Sequence, residues 1–143
     1  MRQRWQLGYG LLFLLLAGCG ETASIAFANL CQQANNGQRV RTEGYFVVGS
    51  SIFCSNIGAT QIQCGLEFVD DLSNAKHIAV TINEGSGKNQ IVVPENYSEE
   101  TIVIHDDSGV SVKLGEKVQL DGEIVINKTN VCLIDTKTIK RLP

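Results

Sequence analysis

Proline is nearly absent from this chain, with two residues in 143 beside 14 glycines. A disordered or low-complexity chain is excluded by that composition, and the length is enough for one domain with a core of its own. Long apolar runs are missing too, apart from one at the N-terminus. No C-x-x-C pair occurs, which removes the zinc ribbon and the thioredoxin-type redox site. There is no P-loop, no H-E-x-x-H and no nucleophile–base–orienter set. The expectation is a protein without catalytic residues, metal or cofactor, and not an enzyme.

The one apolar run reads as a targeting signal. Arg2 and Arg4 form a positive start, and residues 7–16 form an apolar stretch too short for a spanning helix, which takes about 20 residues. Leu16-Ala17-Gly18-Cys19 follows. This tetrapeptide resembles the lipobox of bacterial lipoproteins. The resemblance implies that residues 1–18 are a signal peptide, that Cys19 is the lipidated first residue, and that residues 19–23 are a short tether to a domain over 24–143. Acyl chains would then hold the protein to a membrane at about 0.8 kcal/mol per buried CH₂. The implied address is the cell envelope. Gly20, where an Asp would favour the inner membrane, points to the outer membrane of a two-membrane organism, and otherwise to the outer face of the cell membrane. An ordinary signal peptide with an incidental Cys19 also satisfies the small-residue cleavage pattern.

Loss of Arg2 and Arg4 with the signal takes the basic residues from 12 to 10 against 15 acidic ones, a net charge of −5. Nucleic-acid binders draw their affinity from phosphate neutralisation, so this balance argues against them. Besides Cys19 the cysteines are Cys31, Cys54, Cys64 and Cys132. An even number in an exported domain implies two disulfides, with three connectivities open.

One pattern is used twice. Residues 37–48 read GQRVRTEGYFVV and residues 115–126 read GEKVQLDGEIVI, with Gly37/Gly115, Val40/Val118, Gly44/Gly122 and Val47/Val125 identical. Both alternate as strands with a glycine in the inward row, which signals a bulge or sharp bend. Before the first copy, Phe27, Leu30, Cys31 and Ala34 follow helical spacing, so residues 24–35 are expected to form a short helix, ended by Asn36-Gly37. Residues 61–69 read as a second strand with Ile62, Cys64, Leu66 and Phe68 inward. Residues 76–83 read as a third with Ile78, Val80 and Ile82 inward. A hairpin around residues 106–109 is expected within an insertion over 84–114. The second copy is strand four, and residues 131–139 are strand five.

Five main strands with matched, glycine-interrupted strands one and four resemble an OB-fold: an all-β, five-stranded Greek-key barrel with a short N-terminal helix and an inserted hairpin between strands three and four. The resemblance, to bacterial OB domains of the tRNA-anticodon-binding-like type, spans residues 37–141. An open β-sandwich is the alternative. The strand order of an OB barrel, 1-2-3-5-4, implies the disulfides Cys31–Cys132 and Cys54–Cys64.

OB-folds bind across the outer face of strands two and three, which here implies a ligand face of Gln61, Gln63, Glu67, His77, Thr81 and Asn83. Apart from His77 that face is expected to carry neither aromatic platforms nor basic residues, so a polar small molecule, a glycan or an envelope protein is the expected partner, with the membrane held through the lipid anchor. Plain solvated sheet surface is the other reading of the same residues. Tyr45, Tyr97 and Phe53 are expected near the insertion as core or rim packing. His105 with Asp106-Asp107, and Asp70-Asp71, read as turn chemistry rather than a metal grip. Two further functions stay open: a purely structural envelope protein, and a hydrolase using Glu67 and His77.

Overall fold

The two echoed segments form long strands and pair with each other. In the computed structural model, which describes residues 21–56, 60–73 and 76–143, they are β2, Arg39–Val47, and β9, Lys117–Ile126. The targeting segment and Cys19 lie outside the described residues. The β2–β9 register is antiparallel and sets Val40 opposite Gly122 and Gly44 opposite Val118. Val40 and Val118, matched in the echo, therefore each face the other copy's glycine. The same local symmetry governs the entry turns. The Gly37 N–H donates to the Ile124 carbonyl at 2.7 Å and the Gly115 N–H to the Phe46 carbonyl at 3.2 Å, from backbones with φ of 76° and 79°.

The remaining strands are β1, Ala23–Ser24; β3, Phe53–Ser55; β4, Gln63–Val69; β5, Ile78–Glu84; β6, Gln90–Val92; β7, Val103–His105; β8, Ser111–Val112; and β10, Cys132–Arg141. The sheet runs β4-β2-β9-β10-β5 and closes through β4–β5, with β10 and β5 parallel and the other barrel pairs antiparallel. This is a closed five-stranded barrel with the OB strand order. An open sandwich is thereby replaced by closure, which removes sheet edges.

Alternation sets the core. Val40, Phe46, Phe68, Ile82, Leu120, Ile124 and Ile134 are fully buried, and the rings of Phe46 and Phe68 meet edge-on with centroids 5.2 Å apart. On β10 the alternation slips at Lys137, where the register to β9 shifts between Thr136 and Thr138. The bulge turns Ile139, rather than Thr138, fully inward. Ile62, expected inward, precedes β4 and stays 44% exposed, although its carbonyl still accepts from the Glu84 N–H at 2.8 Å.

The expected helix over 24–35 is corrected. Ala23 and Ser24 pair with Val40 and Arg41, and the Ile25 N–H continues the ladder to the Arg41 carbonyl at 3.2 Å. Two single 3₁₀ turns follow, Phe27–Asn29 and Gln33–Asn35, separated by an extended Gln32 with ψ of 138°. Tertiary contacts outweigh the helical spacing: Leu30 is fully buried, Phe27 packs toward Phe68, and Cys31 is bonded to Cys132. A twelve-residue helix has too little stability of its own to compete.

The insertion forms an annex to the barrel. β6 pairs with the end of β5, β7 with β6, and β8 with β7. Its Ile91, Ile102, Ile104 and Val112 join the same buried cluster as the barrel strands. The expected hairpin is present, turning through residues 106–109.

The bridges are Cys31–Cys132, spanning 101 residues, and Cys54–Cys64, spanning 10. This is the pairing that the barrel order implies. Two disulfides point to an oxidising compartment. Among the described residues no helix is long and apolar enough to cross a membrane.

Candidate functional site

Side chains on β4 and β5 alternate, so every second residue of each strand faces outward. Register then decides which outward residues meet. Gln63 lies opposite Asn83, Gly65 opposite Thr81, and Glu67 opposite Ala79. On the other side of β5, Thr81 lies opposite Asp135 of β10. The outward residues of three strands thus form two adjacent rows, Gln63 with Asn83 and Thr81 with Asp135.

These four are hydrogen-bonded together. The Gln63 carboxamide donates to Asn83 Oδ1 and to Asp135 Oδ1, each at 3.1 Å. The Thr81 hydroxyl donates to the same Asp135 oxygen at 3.4 Å. Lys137 Nζ donates to the second oxygen, Oδ2, at 2.6 Å. Asp135 therefore accepts through both oxygens, at the centre of a half-buried network.

Apolar groups stand around it. Phe53 of β3 lies opposite Gly65 and is 69% exposed, and Val125 of β9 is 38% exposed. With Leu133 of β10 they line a groove of ≈ 410 Å³ floored by Gln63, Gly65, Thr81 and Asp135. The face expected from the sequence to lack an aromatic thus carries one. Phe53 lines the groove, and its neighbour Ile52 is the residue whose backbone touches the insertion, at Tyr97. Its neighbour Cys54 lies opposite Cys64 and is bonded to it, and alternation turns the ring outward.

The other residues assigned to the face lie elsewhere on it. Gln61 sits in the bend before β4 and is exposed. Glu67 and His77 meet at the far end of β4, where Nδ1 of His77 contacts Oε2 of Glu67. Both are substantially exposed. The Glu67 carboxylate also lies against Gly49, where an added Cβ would come within 2.4 Å of Oε1. Of the aromatics, Tyr97 accepts a hydrogen bond from the Ile52 N–H at 2.7 Å and packs against the core, as does part of the insertion.

The acidic turns serve the backbone. Asp71 Oδ1 accepts from the Ser73 N–H at 2.9 Å and from its hydroxyl at 2.8 Å, and these bonds lower its carboxyl from the ordinary value. Asp106 is 4% exposed. Its Oδ1 accepts from the N–H groups of Ser108 and Val110, and its Oδ2 from Arg141 Nε at 3.1 Å. Burial pushes this carboxyl up, but the bonds from Val110, Ser108 and Arg141 together outweigh burial and hold it below the ordinary value. Among the described residues no group of three His, Cys, Asp or Glu side chains is placed to hold a metal ion.

Compared with known proteins, the chain matches no family model, no curated protein and no solved structure.

Sequence reasoning missed Val125, Leu133 and Asp135 as companions of the strand-two and strand-three residues. A signal for Asp135 existed: it has outward parity on a strand that an OB barrel sets beside strand three. Nothing in the sequence indicated that Val125 would come near Phe53, because those strands are joined only by barrel closure.

Proposed function

We propose that the chain is a lipid-anchored binding module of the cell envelope, and that its ligand occupies the groove across β3, β4, β5, β10 and β9. The groove itself carries this reading. Phe53, Val125 and Leu133 gather round the Gln63 carboxamide, the Thr81 hydroxyl and the Asp135 carboxylate, which are held in place by mutual hydrogen bonds. Scattered exposed apolar residues are ordinary on a protein surface, but apolar groups gathered round convergent polar ones are the usual make-up of a ligand site. None of the residues lining the groove comes from the insertion, which weakens the purely structural reading. The hydrolase reading rests on one exposed Glu67–His77 contact, without a nucleophile between them.

The address rests on residues 16–19 together with the two disulfides. A net charge of −5 after signal removal, from 10 basic and 15 acidic residues, argues against a nucleic-acid ligand. Two measurements test the proposal. Cys19→Ser is expected to move the protein from the membrane fraction to the soluble one; unchanged partition defeats the anchor. A photoreactive residue in place of Ser55 is expected to form an adduct in the native envelope, whereas one in place of Ser111, on the insertion, is not. Equal labelling from both positions defeats the groove.

A further inference from the structure

We propose that the domain stands on the membrane surface through one end of the barrel, the turns over residues 33–38 and 127–131. This inference rests on the lipid anchor at Cys19 and names the face that meets the lipid headgroups. From Cys19 to Ala23 is four residues of chain, which reach at most about 14 Å. β1 enters the sheet at Ala23, opposite Val40 and parallel to β2. The chain therefore arrives from the side where β2 begins. There Glu21 shares a surface pocket with Gly37, Gln38, Arg39 and Glu123. The anchored end of the barrel is the one where β2 and β10 start and β9 finishes.

That end is braced as one surface. The Gln33 carboxamide donates to Asn130 Oδ1 at 3.0 Å, and the Ile126 N–H donates to Asn36 Oδ1 at 2.9 Å. Asn127 Oδ1 accepts from the Thr129 and Val131 N–H groups, each at 2.9 Å. These N–H groups keep their partners when headgroups displace water. The Cys31–Cys132 bond joins the segments that carry the two turns. Residues 36–38 and 127–131 are exposed, and Val131, 53% exposed, adds an apolar contact.

Charge selects this end over the rest of the surface. Residues 22–38 hold no charged side chain, and residues 124–134 hold only Lys128. The chain without its signal nevertheless has 15 acidic against 10 basic residues. Its carboxylates lie elsewhere. Glu43 and Asp70 are on the flank beside β1, and Glu99 and Glu100 stand near Lys113. Glu116 immediately precedes β9, a strand of ten residues, which puts it about 30 Å from the turns along the strand. Glu123, behind the turn on β9, lies opposite Arg39. Anionic lipids give a membrane a negative surface potential that attracts Lys and Arg and fades within about 8–10 Å. It favours the end whose turns carry a lysine and no carboxylate, and it repels the acidic flank and the far end.

The test uses the full-length, lipidated, ¹⁵N-labelled protein in nanodiscs of phosphatidylethanolamine and phosphatidylglycerol that contain a headgroup-spin-labelled lipid. The amides of Gln33, Asn36, Lys128, Thr129 and Val131 are expected to lose most of their intensity. Those of Ser108, Gly109 and Gly115 are expected to keep it. Lys128→Glu, at an exposed position, is expected to reduce the loss, and Lys128→Arg to retain it; an unaltered loss in Lys128→Glu overturns the charge argument. Uniform loss over the barrel, or loss centred on the annex or on the β4–β5 flank, overturns the footing. The anchor reading then survives, because the protein is still on the disc. A mature protein without acyl mass on Cys19 that stays off the discs defeats the anchor and the footing together.

Discussion

Two glycines show how much a single missing side chain decides here. A Cβ on Gly44 would sit 2.2 Å from the Val69 carbonyl and 2.8 Å from the Phe68 ring, and one on Gly122 would sit 2.7 Å from the Asp135 carbonyl. The obstacles are backbone and a buried ring, so neither can step aside. Gly44→Ala is therefore expected to destabilise the fold by about 1–3 kcal/mol in denaturant unfolding. Gly65→Ala serves as the contrast, since it meets only ordinary contact and is expected to cost nothing measurable. Equal losses for the two would refute the close-approach argument. The importance of Gly44 and Gly122 was legible, because a glycine in an inward row of an alternating strand is anomalous. The close neighbours were not, since Val69 and Asp135 lie 25 and 13 residues away and only pairing brings them in.

Besides its buried apolar side chains, the insertion is held by a few polar bonds. The Ile139 N–H donates to Asn89 Oδ1 at 2.8 Å, the Asp107 N–H to the Ile139 carbonyl at 2.7 Å, and Arg141 to Asp106. These fasten the annex to β10 beside the bulge. Because the folded Asp106 carboxyl lies below its ordinary value, its contribution is fully present above the usual Asp range near 3.9 and is lost as pH falls through the depressed folded value. Amide exchange in β7 and β8 is expected to accelerate relative to β2 and β9 on such acidification. Asp106→Asn is expected to loosen the annex already at neutral pH, by about 1–3 kcal/mol, and to abolish the extra acid sensitivity. Parallel acid responses of annex and barrel would disprove the latch. At this scale the hairpin and its turn were readable from residues 106–109, whereas the N-terminal helix was misread. Its apolar spacing was real, but Leu30 and Cys31 were spaced for burial and a covalent bond, and the backbone between them took whatever turns reached both.

For the molecule as a whole, the two bridges divide the work unequally. A cross-link closing 101 residues restricts the unfolded chain more than one closing 10, by about 2 kcal/mol in the chain-entropy account. Cys31→Ala/Cys132→Ala is thus expected to lose more stability than Cys54→Ala/Cys64→Ala in urea unfolding, and the reverse order would show that packing at Cys64 dominates. The sequence by itself determined the inward faces of the main strands, the kinship of β2 and β9, and the lipobox-like start, whereas the cysteine pairing came only through the resemblance to an OB barrel. The former are local: they follow from period-two alternation, from direct repetition, and from residue types at short spacing. Only the tertiary structure decided which outward residues share a surface. Phe53, Gln63, Thr81, Asp135 and Val125 lie on five strands, and what joins them is the register of each pairing around a closed barrel. Register is set by the fit of the whole core, so no stretch of the chain carries it alone.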